Sequence, residues 1–445
     1  MIRRLQLALL SASVLLYGTQ ASDPPAPDSY WQVSPPINYS DPIYAGWPQL
    51  QVDKEAIVHR GTDVGRTYAH HPALYYDGRR VYLQYSSAPI DEDSTGQESW
   101  VSTSTDGGYT WSEGVSILPT ALLPNQTEIG PANYTYWCDN RIFQRALHPS
   151  AWVPVHAKGG SGMDMLLYAV SQTTIRYCWG EEDTGTKAAG RVARVIGRDG
   201  QPVGDPCWSS RNEWTDIVGY PETVYGTKYG MKRCRHARQI EAYLSEPATV
   251  PAWETWLYAT KMYAADDAHD VQEPTNAVWF GDGKDQRDHY WERFWRDISG
   301  SDIASHAVWV EHTAARDGHD WYPKVRSQHG NEIFQTNIPD VGSKQHLGVL
   351  PPSGDRFLIH NPRNNSERVR QPLTIATSRG GDRSYRGVGV LKTDANATIA
   401  PDTRGLKRLM FSYPTAVMVR GKLVVSYSEN KENIWVSVVD PENLL

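Results

Sequence analysis

The sequence predicts an all-β protein, a single β-propeller of four-stranded antiparallel blades with one short helical insertion. Three observations lead there. A hairpin pattern recurs four times along the 445 residues, a compact Ser-x-Asp-x-Gly-x-Thr-Trp turn punctuates the first part of the chain, and only one segment departs to helical spacing.

The first hairpin, HHPALYYDGRRVYLQYSS (70–87), reads as a short apolar strand, a tight Asp-Gly turn and a second alternating strand. HPSAWVPVHAKGGSGMDMLLYAVSQ (148–172) repeats the plan with a longer turn. KQHLGVLPPSGDRFLIHNP (344–362) and YPTAVMVRGKLVVSYSEN (413–430) repeat it again. Four copies spread over the chain argue for one repeating architecture. Radially arranged blades bury their faces against one another and leave only short edges, which is the propeller solution. Seven blades are expected, with five or six as alternatives.

The turn lies in STSTDGGYTW (102–111), where Asp106 can accept from nearby backbone amides, Gly107 and Gly108 supply positive φ, and Trp111 caps the layer below. Two weaker versions, AARDGHDW (314–321) and SRGGDRSY (378–385), fall where a third strand should turn into a fourth. The helical departure is HARQIEAYLSEP (236–247), with Ile240, Tyr243 and Leu244 on one face. It precedes an acidic run, ADDAHDVQEP (265–274), whose Asp266, Asp267, His269 and Asp270 read as a solvated loop rather than a cation site.

At the start, Arg3 and Arg4, the apolar run Leu5 to Tyr17 and the small-residue site Thr19-Gln20-Ala21 form a secretory signal. This divides the chain into a signal peptide (1–21) and a propeller catalytic domain (22–445), expected to be secreted, extracellular and monomeric. Sequons begin at Asn38, Asn125, Asn133, Asn364 and Asn396, consistent with a glycoprotein. Cys138, Cys178, Cys207 and Cys234 suggest two disulfides in any of three connectivities. The net charge of −7 argues against nucleic acid as a partner, and no other apolar run suits a membrane span.

In a propeller the residues just before each blade's first strand, and the loop joining its second and third strands, open onto one face. The first set holds His70, His71, Arg145, His148, Lys344, His346 and Tyr413. The run RFWRD (293–297), read as a further blade entrance, adds Arg293 and Arg296, and the loops add Gln97, Asn361, Arg363, Arg370 and Lys431. An acidic protein thus concentrates basic and imidazole groups at one mouth, a funnel for an anion. Arginine offers a planar fork for a carboxylate, and a histidine beside it can take the proton α to that carboxylate. In a uronic-acid chain this is β-elimination.

The turn at 104–111 resembles the Asp-box of sialidases and related propellers. Together with the hairpins, RFWRDIS, TNIPDVGSKQHLGVL, QPLTIATSRGG and the C-terminal FSYPTAVMVRGKLVVSYSENKENIWVSVV, the chain from about residue 65 onward is similar to propeller polysaccharide lyases of the ulvan lyase and fungal L-rhamnose-α-1,4-D-glucuronate lyase type. That resemblance implies a seven-bladed secreted enzyme cleaving at O4 of a glucuronate, with an acidic plant or algal polysaccharide such as gum arabic or ulvan as substrate. It implies a His/Tyr/Arg site: His71, His148, Tyr136 and Arg145 as catalytic residues, and His70, Arg293, Arg296, Lys344, Asn361 and Arg370 as substrate-binding ones. Where relatives carry a further histidine after the second strand, this chain has Ala88, so the acid is left among Tyr134, Tyr136 and His148. No cofactor is required, and a structural cation is compatible with the fold without being expected. Two other readings stand beside this one. A sialidase-like exo-hydrolase would use an arginine triad, a tyrosine paired with glutamate and an Arg-Ile-Pro motif, which is not found. A non-catalytic carbohydrate-binding propeller would use some of the 17 Trp and 25 Tyr as stacking surfaces.

Overall fold

The computed structural model describes residues 29–92, 96–119, 121–122, 143–159, 162–178, 184–211, 232–248, 263–264, 269–280, 290–299, 306–313, 333–363, 369–380, 382–393 and 410–444, with side chains left undescribed in parts of 121–122, 143–150, 157–164, 173–189, 211, 263–264 and 280. The strands are β1 (Lys54–Arg60), β2 (Tyr68–Tyr76), β3 (Val81–Ala88), β4 (Glu98–Ser104) and β5 (Val115–Leu118), then β6 (Ala121–Leu122), β7 (Phe143–Gly159), β8 (Gly162–Cys178), β9 (Thr184–Ile196), β10 (Pro202–Arg211) and β11 (Lys232–Arg233). The second half adds β12 (Tyr263–Ala264), β13 (Asp270–Gln272), β14 (Val278–Phe280), β15 (Tyr290–Asp297), β16 (Ala307–Thr313) and β17 (Phe334–Pro339). The last two sheets are drawn from β18 (His346–Leu350), β19 (Asp355–His360), β20 (Leu373–Ser378), β21 (Gly387–Lys392), β22 (Phe411–Val419), β23 (Lys422–Glu429) and β24 (Asn433–Val439).

These strands form five sheets among the described residues: β2 to β5, β6 to β11, β12 to β17, β18 to β21, and β22 to β24 closed by β1. The fold is a β-propeller, and the ring is fastened by β1 from the start of the chain pairing antiparallel with β24 from its end. Each of the four hairpins read in the sequence becomes the inner pair of a sheet: β2–β3, β7–β8, β18–β19 and β22–β23. The described sheets hold four or six strands each, and the seven-blade expectation concerns the whole chain, part of which lies outside the described residues.

Packing between sheets follows from strand composition. Ala69, Leu83 and Tyr85 of the first sheet meet Val424, Ile434, Val436 and Val438 of the last in one buried cluster. Gly108 fits against Val424, where a Cβ would approach to 3.2 Å. The turn between β4 and β5 is built as its residues require. Ser104 donates to Asp106, Gly108 N–H donates to Ser104 Oγ, and Tyr109 and Thr110 N–H both donate to Asp106 Oδ1 at 3.0 Å. Although burial acts to raise the Asp106 carboxyl, these hydrogen bonds prevail and hold it down at about 2. The weaker turn at 378–385 also joins a third strand to a fourth, with Ser378 Oγ donating to the Asp382 carbonyl; 314–321 lies outside the described residues except for its flank.

The helix forms at Ala237–Leu244, with Ile240 buried against the β7–β10 sheet. A Cys207–Cys234 disulfide staples its start to β10, while Cys138 and the Cys178 side chain lie outside the described residues. The signal segment lies there too. No described helix is long and apolar enough to cross a membrane.

Candidate active site

The site is built by a device that repeats at the blade entrances: a residue followed by proline, with a register break in the strand pair. His71-Pro72 sits in the irregularity between His70 and Ala73, and Tyr413-Pro414 in that between Ser412 and Thr415. Glu273-Pro274 separates β13 from β14, and His148-Pro149 coincides with two register breaks of β7. A residue before proline normally prefers extended backbone. Here His71, Glu273 and Tyr413 take φ of 55°, 51° and 56°, in the left-handed region, which turns each side chain out of its strand. Such backbone persists only where the surroundings over-determine it, and it collects at functional sites.

The three turned side chains meet. The Tyr413 hydroxyl donates to Glu273 Oε2 at 2.9 Å and accepts from Arg296 Nη1 at 2.8 Å, and the same Nη1 donates to Glu273 Oε2 at 2.8 Å. The His70 and His71 rings lie 4.2 and 4.9 Å from the Tyr413 ring, and the Arg370 guanidinium carbon 5.4 Å from it. His70 Nδ1 pairs with Ser428 Oγ at 2.6 Å, and His71 Nδ1 with Ser86 Oγ at 3.2 Å. On the loop after β3, Glu92 accepts from Tyr68, faces His71 Nε2 at 3.5 Å and pairs with Lys431.

Electrostatics sort the protons. Burial lifts the Tyr413 phenol far above its usual range, more than Arg296 lowers it, so the hydroxyl keeps its proton at rest. Burial would lift Glu273 as well, but Arg296, then Lys344, and the hydrogen bonds from Arg296 and Tyr413 outweigh it and hold the carboxylate ionised. A protonated phenol thus faces an ionised base across 2.9 Å, the arrangement that activates a weak nucleophile.

Several sequence expectations land elsewhere. RFWRD is not a blade entrance: it belongs to β15, the strand after the Glu273 entrance, and only its end reaches the site. Arg296 lies there, whereas Arg293 donates to Glu311 Oε2 at 2.7 Å and packs over Trp295. Asn361 is buried, donating Nδ2 to the carbonyls of Pro372 and Phe411, and so ties the loop after β19 to β22. Lys344 lies at the site's edge, with Nζ 5.8 Å from the Tyr413 ring centroid. The side chains of Arg145 and His148, and all of Tyr134 and Tyr136, lie outside the described residues. Glu273 escaped sequence reading because it closes an acidic run. Its signal was the proline after it, shared with His71, His148 and Tyr413.

His70, His71 and Glu92 offer ligand atoms within 4.8 Å of one another. Lys431 already occupies Glu92, and hydroxyls hold both Nδ1 atoms, so the trio suits proton transfer better than a cation. Asp266 and Asp267 lie outside the described residues, while His269 turns to Asp297 at 4.0 Å.

Arg296 is aimed from behind: its Nε donates to the Gly342 carbonyl. Gly342 has φ +69°, and a Cβ there would stand 2.6 Å from the Asp297 carbonyl oxygen. Gly342→Ala is therefore expected to cost about 1–3 kcal/mol, read as a lower thermal midpoint, and an unchanged midpoint would contradict this account of the loop.

Fold and site together define a β-propeller carrying a buried Tyr-Glu-Arg triad at one end of its axis. The profile of the family described as "Beta-prop_BT_1020:-like, N-terminal beta propeller" matches residues 49–213. A search of curated proteins gives no match. Among solved structures, one described as a sialidase is 18% identical with a TM-score of 0.60, over 93% of this chain and 35% of its own. The chain thus spans about a third of that protein's length. The leech intramolecular trans-sialidase is 11% identical, TM-score 0.42, over 87% and 70% of the two chains. Trypanosoma rangeli sialidase is 9% identical, TM-score 0.36, over 84% and 54%. The first likeness is one of fold.

Proposed function

We propose that the protein is a secreted, sialidase-like exo-glycoside hydrolase that acts with retention on a sugar whose anomeric carbon carries a carboxylate. The observation that carries this reading is the Tyr413 hydroxyl held between ionised Glu273 and Arg296. An anionic nucleophile is repelled by a carboxylate on the carbon it attacks. A phenol that loses its proton to a neighbouring base only as it attacks avoids that repulsion, which is why a tyrosine can replace the usual carboxylate nucleophile. Arg370, beside the Tyr413 ring, is suited to take the substrate carboxylate, with Arg296 steadying the pair. His71, backed by Glu92, supplies the proton to the departing oxygen and then draws it from the incoming water. At the first blade's entrance the chain has His70-His71-Pro72, which keeps the proline of an Arg-Ile-Pro motif and replaces its arginine by histidine. The fold likeness to a sialidase supports the reading.

A second reading, the glucuronate lyase, is favoured by the two imidazoles packed on the Tyr413 ring at 4.2 and 4.9 Å. Product analysis separates the two. The 4-methylumbelliferyl 2-ulosonoside should release a saturated keto acid with retained configuration, and gum arabic and ulvan, which offer glucuronate instead, should give no ultraviolet-absorbing product. Ultraviolet absorbance from an unsaturated uronate would instead establish the lyase, and neither product would leave a binding propeller.

A further inference from the structure

Beneath the catalytic layer runs a cavity of about 320 Å³ that follows the inner strands from Pro72 to Tyr75 and from Pro414 to Met418. Its lining is apolar for most of its length, with Leu74, Trp152, Phe357 and Met418, and turns polar at the end nearest Tyr413, at Lys344, Gln345 and His346. Among the described lining residues Lys344 is the only charged side chain.

Lys344 and Arg296 share Glu273 as their counter-charge, and it is Arg296, with Tyr413, that hydrogen-bonds the carboxylate. Beside it, Gln345 is 2% exposed, yet both its amide oxygen and its amide nitrogen lack a partner among the described residues. Buried polar groups in folded proteins are normally satisfied, and two cations sharing one carboxylate leave positive charge in excess beside the unsatisfied amide. Burial, with Lys344 second, holds the His346 imidazole near 4, so it is neutral and can donate one N–H. A cation, an amide N–H and an imidazole N–H at one end of a cavity with no acid among its described lining residues form a cradle for negative charge.

We infer that the axial cavity binds a small monovalent inorganic anion of chloride size, held by Lys344, Gln345 and His346 behind the catalytic layer. The ion offsets the positive charge left over where Arg296 and Lys344 share the single Glu273 carboxylate, and fixes the Gln345 amide, leaving Arg370 and Arg296 to the substrate. This inference is independent of the reaction catalysed, so the test uses no substrate and its failure leaves the hydrolase reading standing.

The test is a thermal-midpoint titration with sodium chloride and sodium bromide, ionic strength being held constant with methanesulfonate, joined to bromide-soaked crystals measured at the bromine edge. A ligand that binds only the folded form raises the midpoint with concentration. The expected result is a saturable rise with either halide and an anomalous peak within hydrogen-bond distance of Lys344 Nζ. Gln345→Leu should flatten the rise and Lys344→Met abolish it. A midpoint indifferent to halide, a Gln345→Leu protein that responds as the parent does, or a channel without an anomalous peak would each overturn the proposal. Should Lys344→Met fail to fold, Gln345→Leu and the soaked crystals decide alone.

Discussion

Tyr413→Phe is expected to leave the propeller folded and to lower turnover by ~10⁴-fold or more, the scale on which loss of a nucleophile is felt. The substitution keeps the ring that packs on His70 and His71 and removes only the oxygen shared by Glu273 and Arg296. Circular dichroism should therefore be unchanged while kcat collapses. In the parent protein, a fluorinated 2-ulosonosyl fluoride should form a covalent adduct on the peptide containing Tyr413, seen as added mass. An adduct on another residue, or full activity in Tyr413→Phe, would remove the nucleophile assignment. Glu273→Gln should fall almost as far, since the phenol then has no ionised acceptor, whereas His71→Ala should be partly spared on substrates whose leaving group needs no proton.

The largest effect on stability is expected at Arg356. Glu292 is fully buried and accepts from Tyr30, His312 and Arg356, the last at 2.6 Å. This knot joins the N-terminal arm, the β15–β16 pair and the sheet of β18 to β21. Arg356→Met strands the carboxylate, a change that typically costs about 3–5 kcal/mol. The double variant with Glu292→Gln should recover part of that loss. The pH dependence carries the sign. Burial acts to raise the Glu292 carboxyl, but Arg356 and His312 bring it from 4.5 down to about 2. Its contribution is therefore complete above pH 4.5 and disappears as pH falls towards 2. Without Arg356, burial dominates and the folded carboxyl binds its proton more tightly than the unfolded one. Stability then declines as pH rises from about 4 to 7. Urea titrations at several pH values read both slopes, and parallel curves for the two proteins would refute the role of the pair.

The hairpins were legible because alternation and Asp-Gly turns are local signals, settled within some twenty residues. The turn at 104–111 was legible for the same reason, as the hydrogen bonds that Asp106 makes to Ser104, Tyr109 and Thr110 lie within its own eight residues. The candidate site was legible in part: the expected entrance residues His70, His71 and Tyr413 come together, with Lys344 at their edge, although His70, His71 and Tyr413 lie within strands rather than before them. Arg293 and Arg296 show the limit. Three residues apart on one strand, they separate into a core ion pair and a site guanidinium, and only the neighbouring sheet decides which is which. Glu273 shows another. An acidic run reads as solvated until the fold brings Arg296 and Tyr413, the latter 140 residues further along, against its last member. Pairings of that kind depend on ring closure and leave no periodic trace.

The proline-flanked blade entrances have a consequence for how such a protein acquires new chemistry. At His71, Glu273 and Tyr413 a left-handed turn before proline sets the direction of the side chain, whatever its chemistry. Imidazole, carboxylate and phenol accordingly stand in equivalent sockets at His71, Glu273 and Tyr413. A propeller of this kind is a modular tool-holder: its reaction can be rewritten one bit at a time while the chuck stays the same.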